Sequence, residues 1–112
     1  MLIAIPVANG KLSAHFGHCE HFAMIEADET TGGIISQRLE TPPPHEPGVL
    51  PRWLTDMGAD VIIAGGMGRR AQDMFESRGL KVVVGVQPDE LSVIAEKYLS
   101  GDLELGTNLC DH

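Results

Sequence analysis

The sequence predicts an α/β fold in which a mixed sheet carries helices on both faces. Short apolar runs are separated by turn residues throughout. Three strand-like segments precede the first helical stripe, and strands and helices then alternate strictly. The resulting order, β-β-β-α-β-α-β-α, excludes an all-parallel sheet and calls for helices on either side.

Leu2 to Val7 is apolar at almost every position, as in a strand covered on both faces. His21 to Ile25 and Ile34 to Leu39 are strand candidates joined through a turn at Thr31-Gly32-Gly33. Ser36, Gln37 and Arg38 place the second of them near a sheet edge. Val49, Leu50, Trp53, Leu54 and Met57 share one helical face, and Gly58 stops that helix. Val61 to Ala64 and Val82 to Val84 are β-branched runs that end in glycine. Ala71, Met74 and Phe75 form a second helical stripe, closed by Gly79. Leu91, Ile94, Ala95, Tyr98 and Leu99 form a third, with Pro88 near its start, Asp89 and Glu90 in its first turn, and Gly101 after its end. Thr41 to Pro51 holds five prolines around His45 and forms a stiff connector. Asp102 to His112 has no periodicity and forms a tail.

Composition bounds the function. The chain has 112 residues, suited to one domain over 1–112, and 43% of them are hydrophobic, which excludes disorder as the default. Sixteen acidic side chains against eight basic ones leave a formal charge of -8. Nucleic acid and anionic membranes need clustered Lys and Arg, so neither is an expected partner. Aromatic residues at 4% offer little for base stacking. Two cysteines are too few for a disulfide scaffold, no secretory leader is expected, and the apolar opening is far short of the ~20 residues that span a bilayer. A soluble, cytoplasmic protein is the expectation.

The loop after the first strand, Ser13-Ala14-His15-Phe16-Gly17-His18-Cys19-Glu20-His21, concentrates donors: three of five histidines and one of two cysteines fall within its last seven residues. His45 lies in the connector, and the tail ends Cys110-Asp111-His112. Every imidazole and thiol therefore lies in an irregular segment or at its border, whereas core histidines and inert cysteines would be scattered over strands and helices. Imidazole and thiolate are ligands for zinc, copper and iron–sulfur clusters. No paired Cys-x-x-Cys units support a closed zinc site, and one chain cannot supply four thiolates; a dimer, or histidines in place of some thiolates, could complete a cluster site. The plainer alternative makes His18 and His21 polar loop residues and Cys110 an accident of the tail, and His21 fits it best because it begins a strand.

Gly65-Gly66-Met67-Gly68-Arg69-Arg70 follows one strand and opens the second helix. Backbone N–H groups there, approachable through glycine, suit an anion, and the arginines add charged donors. Neither a phosphate-binding Gly-Lys-Ser/Thr loop nor a full dinucleotide fingerprint is present, and such a turn is also ordinary loop chemistry. Its position after a strand, like that of the His15–Cys19 loop, is where ligands of open α/β sheets bind. Catalysis has little support: Cys19 beside His18 could pair as nucleophile and base, yet sequence neighbours on extended backbone point apart. Asp56, Asp60 and Asp73 read as solvated helix and turn residues, and the methionines as core filler.

Ile3-Ala4-Ile5-Pro6, Leu12-Ser13-Ala14-His15-Phe16-Gly17-His18-Cys19, Phe22, Gly58 to Gly68 and Gly79-Leu80-Lys81-Val82 together resemble the nitrogenase iron–molybdenum cofactor biosynthesis accessory family. The Ser-x-His-Phe-Gly loop and the Gly-Gly-Met-Gly turn are the specific elements, and the Cys110-Asp111-His112 ending looks like the small stand-alone members, many from anaerobes. The resemblance implies a ribonuclease H-like, three-layer α/β/α fold with a five-stranded mixed sheet and about three helices. It also implies a non-enzymatic role in binding, storing or delivering an iron–sulfur or molybdenum-containing cluster, with cluster-assembly or acceptor proteins as partners and a monomer or weak homodimer as the working state. Nuclease chemistry is not implied, because that class's acidic set is not apparent. The ligand role carries over to His15, His18, Cys19, His45, Cys110 and His112, and anion contact to Gly65, Gly66, Gly68 and Arg69.

Three functional classes follow: a cluster carrier, a protein-binding regulatory or assembly module in which metal is incidental, and an enzyme using Cys19, which would need a depressed thiol pKa. The first 25 residues carry only Lys11 and Glu20 as charged side chains, and much of the acidity lies in hairpin and helix segments. The binding end is therefore expected to be neutral to positive on an acidic body.

Overall fold

The computed structural model describes residues 1–13, 19–44, 48–103 and 105 of the chain. Its elements are β1 (Leu2–Ala8), β2 (Lys11–Leu12), β3 (His21–Asp28), β4 (Gly33–Glu40), α1 (Val49–Asp56), β5 (Val61–Ile63), α2 (Arg69–Ser77), β6 (Lys81–Val83) and α3 (Leu91–Ser100). The strands form one mixed sheet in the order β4-β3-β1-β5-β6, with β2 paired to β1 off this path. The five expected strands are that path. The sixth, β2, is an addition the sequence conceals, since two residues are too few to show a period.

Alternation along β1 builds two apolar layers. Ile3, Ile5 and Val7 face one way with Ala23, Ile25, Ile63 and Val83, and α3 covers them through Leu91, Ile94 and Ala95. Leu2 and Ala4 face the other way with Phe22, Met24 and Ile62, beneath Leu50 and Leu54 of α1 and Phe75 of α2. Helices on both faces of a central sheet make three layers, as expected.

Pro6 is buried in the middle of this central strand, where a missing N–H would ordinarily cost a ladder bond. β1 avoids that cost by changing neighbours. On one edge it pairs with β5 only at Ile3 and Ala4, and with β2 only at Val7 and Ala8. The backbone of Pro6 points into the interval between them, and its carbonyl accepts the Ser13 N–H at 2.8 Å. The ladder to β3 on the other edge, Leu2↔Glu26 through Val7↔His21, runs past the proline unbroken.

Several boundaries differ from expectation. β4 carries a bulge opposite Glu26 and Ala27 that leaves Ile35 without a register partner and 65% exposed, in keeping with its place at the edge. β6 begins at Lys81 rather than Val82, because the Lys81 N–H bonds to the Asp60 carbonyl at 3.0 Å. Pro51 lies inside the first turn of α1, where no N–H is needed, so the connector ends before Val49. Asp89 and Glu90 do not enter the first turn of α3; Glu90 is the N-cap, and its own N–H is held by the Asp89 carboxylate at 2.8 Å.

Asp60 is exposed, as expected of a solvated turn residue, and has a further role that the sequence did not indicate. Its carboxylate accepts the Leu2 N–H at 2.9 Å, its N–H donates to the Leu2 carbonyl at 2.9 Å, and its carbonyl anchors β6. One residue thus clamps β1, β5 and β6 at the end where β5 begins. Replacing Asp60 by Ala should cost about 1–2 kcal/mol in chemical denaturation, the range of a hydrogen bond to a charged acceptor discounted for partial exposure. Asp60→Asn, which keeps an acceptor oxygen, should lose less than half as much; equal losses would mean that a neutral acceptor cannot replace the carboxylate, and no loss in either would mean that the bond contributes nothing.

Candidate functional site

Strand direction decides which segments meet. β5 and β6 run parallel to β1, and β3 runs antiparallel to it, so the carboxyl ends of β1, β5 and β6 lie with the start of β3 and the end of β4. That single end of the sheet gathers Ser13, Cys19 and His21, the start of the proline connector at Thr41, and the Gly65–Gly68 turn. It is also where β1 and β5 part company, the switch position at which open α/β sheets form their crevices.

Of the six residues expected as metal ligands, only Cys19 is among the described residues; His15, His18, His45, Cys110 and His112 lie outside them. Cys19 is half-buried and packs on the layer beneath α1 and α2. Nearby in that layer, Phe22 and Trp53 meet edge to face with ring centroids 5.6 Å apart. Burial pushes the Cys19 thiol above its ordinary pKa, with a backbone hydrogen bond opposing in part. Such a thiol is not an activated nucleophile, although a metal ion could displace its proton. Among the described residues, no three His, Cys, Asp or Glu side chains come together as a ready metal site. His21 is exposed and opens β3, where its backbone pairs with Val7.

The glycine turn is fully described. Gly65, Gly66 and Met67 are buried, Gly68 is half-buried, and Arg69 and Arg70 are exposed at the start of α2. Its carbonyls are held within the protein. Ala64 accepts from Val86 N at 3.3 Å, Gly65 from Gly85 N at 2.8 Å, and Gly68 from Gln72 N at 3.1 Å. Met67 accepts from the Gln72 side-chain amide, Nε2, at 2.8 Å. In a trans peptide the following N–H points opposite to the carbonyl. The amides of Gly65 and Gly66 therefore point away from the β6 side, and that of Gly68 away from the Gln72 side chain. None of the three meets an acceptor among the described residues. A turn arranged in this way presents donors to a ligand and suits negative charge. The sequence pointed to this turn through its glycines; Gln72 carries no comparable signal.

Charges of both signs lie at this end, Lys11, Arg69 and Arg70 with Glu20, Glu40, Asp89 and Glu90, whereas the whole chain carries -8. The Glu20 carboxylate accepts the Asn9 N–H at 2.9 Å, and Arg38 pairs with Glu40 at 2.9 Å. No helix among the described residues is long and apolar enough to cross a membrane.

The sequence matches the family described as dinitrogenase iron-molybdenum cofactor over residues 1–101. MJ0580, an uncharacterised protein of Methanocaldococcus jannaschii, is 30% identical over 107 residues, covering 93% of this chain and 90% of its own. The crystal structure of PH0822 superposes with a TM-score of 0.84 at 30% identity over 94% of each chain. The apo form of the orange protein from Desulfovibrio gigas gives 0.72 at 20% identity, over 96% of this chain and 93% of that one, a likeness of fold.

The raised Cys19 pKa is open to direct measurement. In a Cys110→Ser background, the rate of iodoacetamide labelling should rise with pH about a midpoint above the ordinary cysteine value of about 8.5, because less thiolate is present at any given pH. Unfolding in denaturant should return the midpoint to that value. A folded-state midpoint at or below 8.5 would contradict the desolvation described here.

Proposed function

Because the chain belongs to the dinitrogenase iron-molybdenum cofactor family, we propose that it is a small non-enzymatic carrier that binds an iron–sulfur or molybdenum-containing cluster for assembly or delivery. The observation that carries this reading is the pairing, at one end of the sheet, of a thiol donor with amides turned away from β6 and from the Gln72 side chain. Cys19 supplies a soft ligand, and the Gly65–Gly68 turn with Arg69 supplies donors for the anionic part of the cargo. His15 and His18 are within four residues of Cys19 in the chain, and His45 follows Pro44 of the connector by one residue. The three histidines are therefore tethered to this end and can add ligands there.

The tail has the length to join them. After α3 the chain reverses at Gly101, whose φ is +81°, with the Asp102 N–H bonded to the Lys97 carbonyl at 2.9 Å in a helix-ending turn. Leu103 packs on the layer that holds Val86 and Leu91, and Leu105 lines a groove along Lys81–Val84. Cys110 is five residues further on, within about 18 Å of chain, and β6 beside the groove is only three residues long. Cys110 and His112 are thus within reach of the cargo. Cys19's raised thiol favours a resting role over nucleophilic catalysis.

Anaerobic reconstitution of the full chain with iron and sulfide, or with tetrathiomolybdate, should produce charge-transfer absorbance and quench the fluorescence of Trp53, the chain's single tryptophan, which lies on the Cys19 face. Both signals should fall at least severalfold in a Cys19→Ala, Cys110→Ala double variant. Undiminished binding would remove the thiolates from the ligand set. Capture of an assembly partner by metal-free protein, unaffected by these substitutions, would favour the regulatory-module reading instead.

A further inference from the structure

We infer that Gln72 is a positioning residue for the cargo site: its side-chain amide fixes the orientation of the Met67–Gly68 peptide and so aims the Gly68 N–H at the bound anion. The inference rests on the carrier reading above and assigns a task to a residue outside the expected donor set.

The turn contains three peptides whose carbonyls are held by groups other than the helix ladder, and they are not held alike. The carbonyls of Ala64 and Gly65 are gripped by backbone amides of the segment after β6, Val86 and Gly85. No single side-chain substitution removes those two bonds. The Met67 carbonyl is gripped by a side chain, Gln72 Nε2, at 2.8 Å. The Met67–Gly68 peptide is therefore the one whose direction depends on a replaceable group. It is also the one most free to turn, since Gly68 has no Cβ to resist rotation and is the N-cap residue, extended at φ -64° and ψ 154°.

Gln72 is well suited to the task. It occupies the fourth position of α2, one turn after Gly68, so its backbone N–H closes the first helical bond to the Gly68 carbonyl while its side chain reaches the preceding carbonyl of Met67. Both bonds converge on the two carbonyls that flank Gly68. The peptides before and after Gly68 are thus each held by Gln72, and because the first is trans the Gly68 N–H must point away from the Gln72 side chain. Met67 itself is fully buried, so its side chain anchors the turn from beneath. A preset donor loses less freedom when the ligand arrives than one that must swing into place.

The test uses the full chain, labelled with nitrogen-15, and tetrathiomolybdate as the probe. In the unsubstituted protein the Gly66 and Gly68 amide resonances should shift on addition of the probe; if neither moves, the carrier reading of this turn fails before Gln72 is at issue. Gln72→Leu should move the Gly68 resonance in the free protein, leave Gly66 near its place, and weaken the probe by about tenfold, as for one lost charge-assisted donor. Gln72→Glu keeps the length but lacks a donor at neutral pH. Its free-protein Gly68 resonance should be displaced there and return toward the original position as the introduced carboxyl is protonated near pH 4. A purely structural role for Gln72 would lower the melting temperature without this pH-reversible, single-residue signature. Should the leucine variant fail to fold, the glutamate variant gives the answer alone. Unshifted Gly68 and unchanged affinity in the folded variants would overturn the assignment.

Discussion

The architecture depends on β1 changing partners halfway along one edge. A central strand must satisfy its backbone on both sides, and Pro6 cannot donate. The strand meets both conditions by giving Leu2 through Ala4 to the β5 side, placing Pro6 where β5 has ended, and giving Val7 and Ala8 to β2. The Ser13 N–H fills the interval by bonding the Pro6 carbonyl. Without that interval β5 could continue alongside β1. The place of the proline and the parting of β1 from β5 belong to one event in the sheet.

From that event the site's chemistry follows by direction alone. Once β1 and β5 diverge, Ser13 after β2 and the turn leaving β5 lie at the same end of the sheet, and Cys19 and His21 lie there at the start of antiparallel β3. The carbonyls of Ala64, Gly65 and Met67 are drawn toward the segment after β6 and toward α2, which turns the amides of Gly65, Gly66 and Gly68 to the opposite side. No residue need be strained for this; glycine permits the close approach, and pairing elsewhere enforces the polarity. A soft thiol and N–H donors at one end of the sheet are the chemistry on which the proposed carrier role rests.

How much of this was legible in the sequence follows from the range of each cause. Strands and helices that bury a face announce themselves by period, so Leu2–Val7 and the Val49–Met57 and Leu91–Leu99 stripes could be read directly. The fold class followed from their order. The glycine turn was visible because its residue types are unusual for a helix entry. Three features were silent because their causes are tertiary. Asp60 looked like any exposed turn acid, and its clamp on Leu2 exists only once β1 lies beside β5. β2 is two residues held by register rather than composition. Gln72 sits on a polar helix surface indistinguishable from its neighbours until the Met67 carbonyl is brought within reach. Asp89 and Glu90 were misplaced by two residues for a local reason: an acidic pair before a helix serves equally as cap or first turn, and only the geometry separates them.

Net charge illustrates the same difference of range. The -8 of the chain argued against long polyanions, because a duplex lies across much of a small protein and meets its average surface. A compact anion meets only what lies within about 8 Å, the screening length at physiological salt. At the glycine turn the adjoining charged side chains are Arg69 and Arg70 of α2, and Glu20 is already engaged by the Asn9 N–H. Oriented amides then tip the balance at the turn itself, where they act at contact distance and need no net charge. An acidic protein can therefore hold an anion without contradiction, provided that its donors are fixed before the anion arrives. In this chain that fixing falls to Gly85, Val86 and the Gln72 side chain.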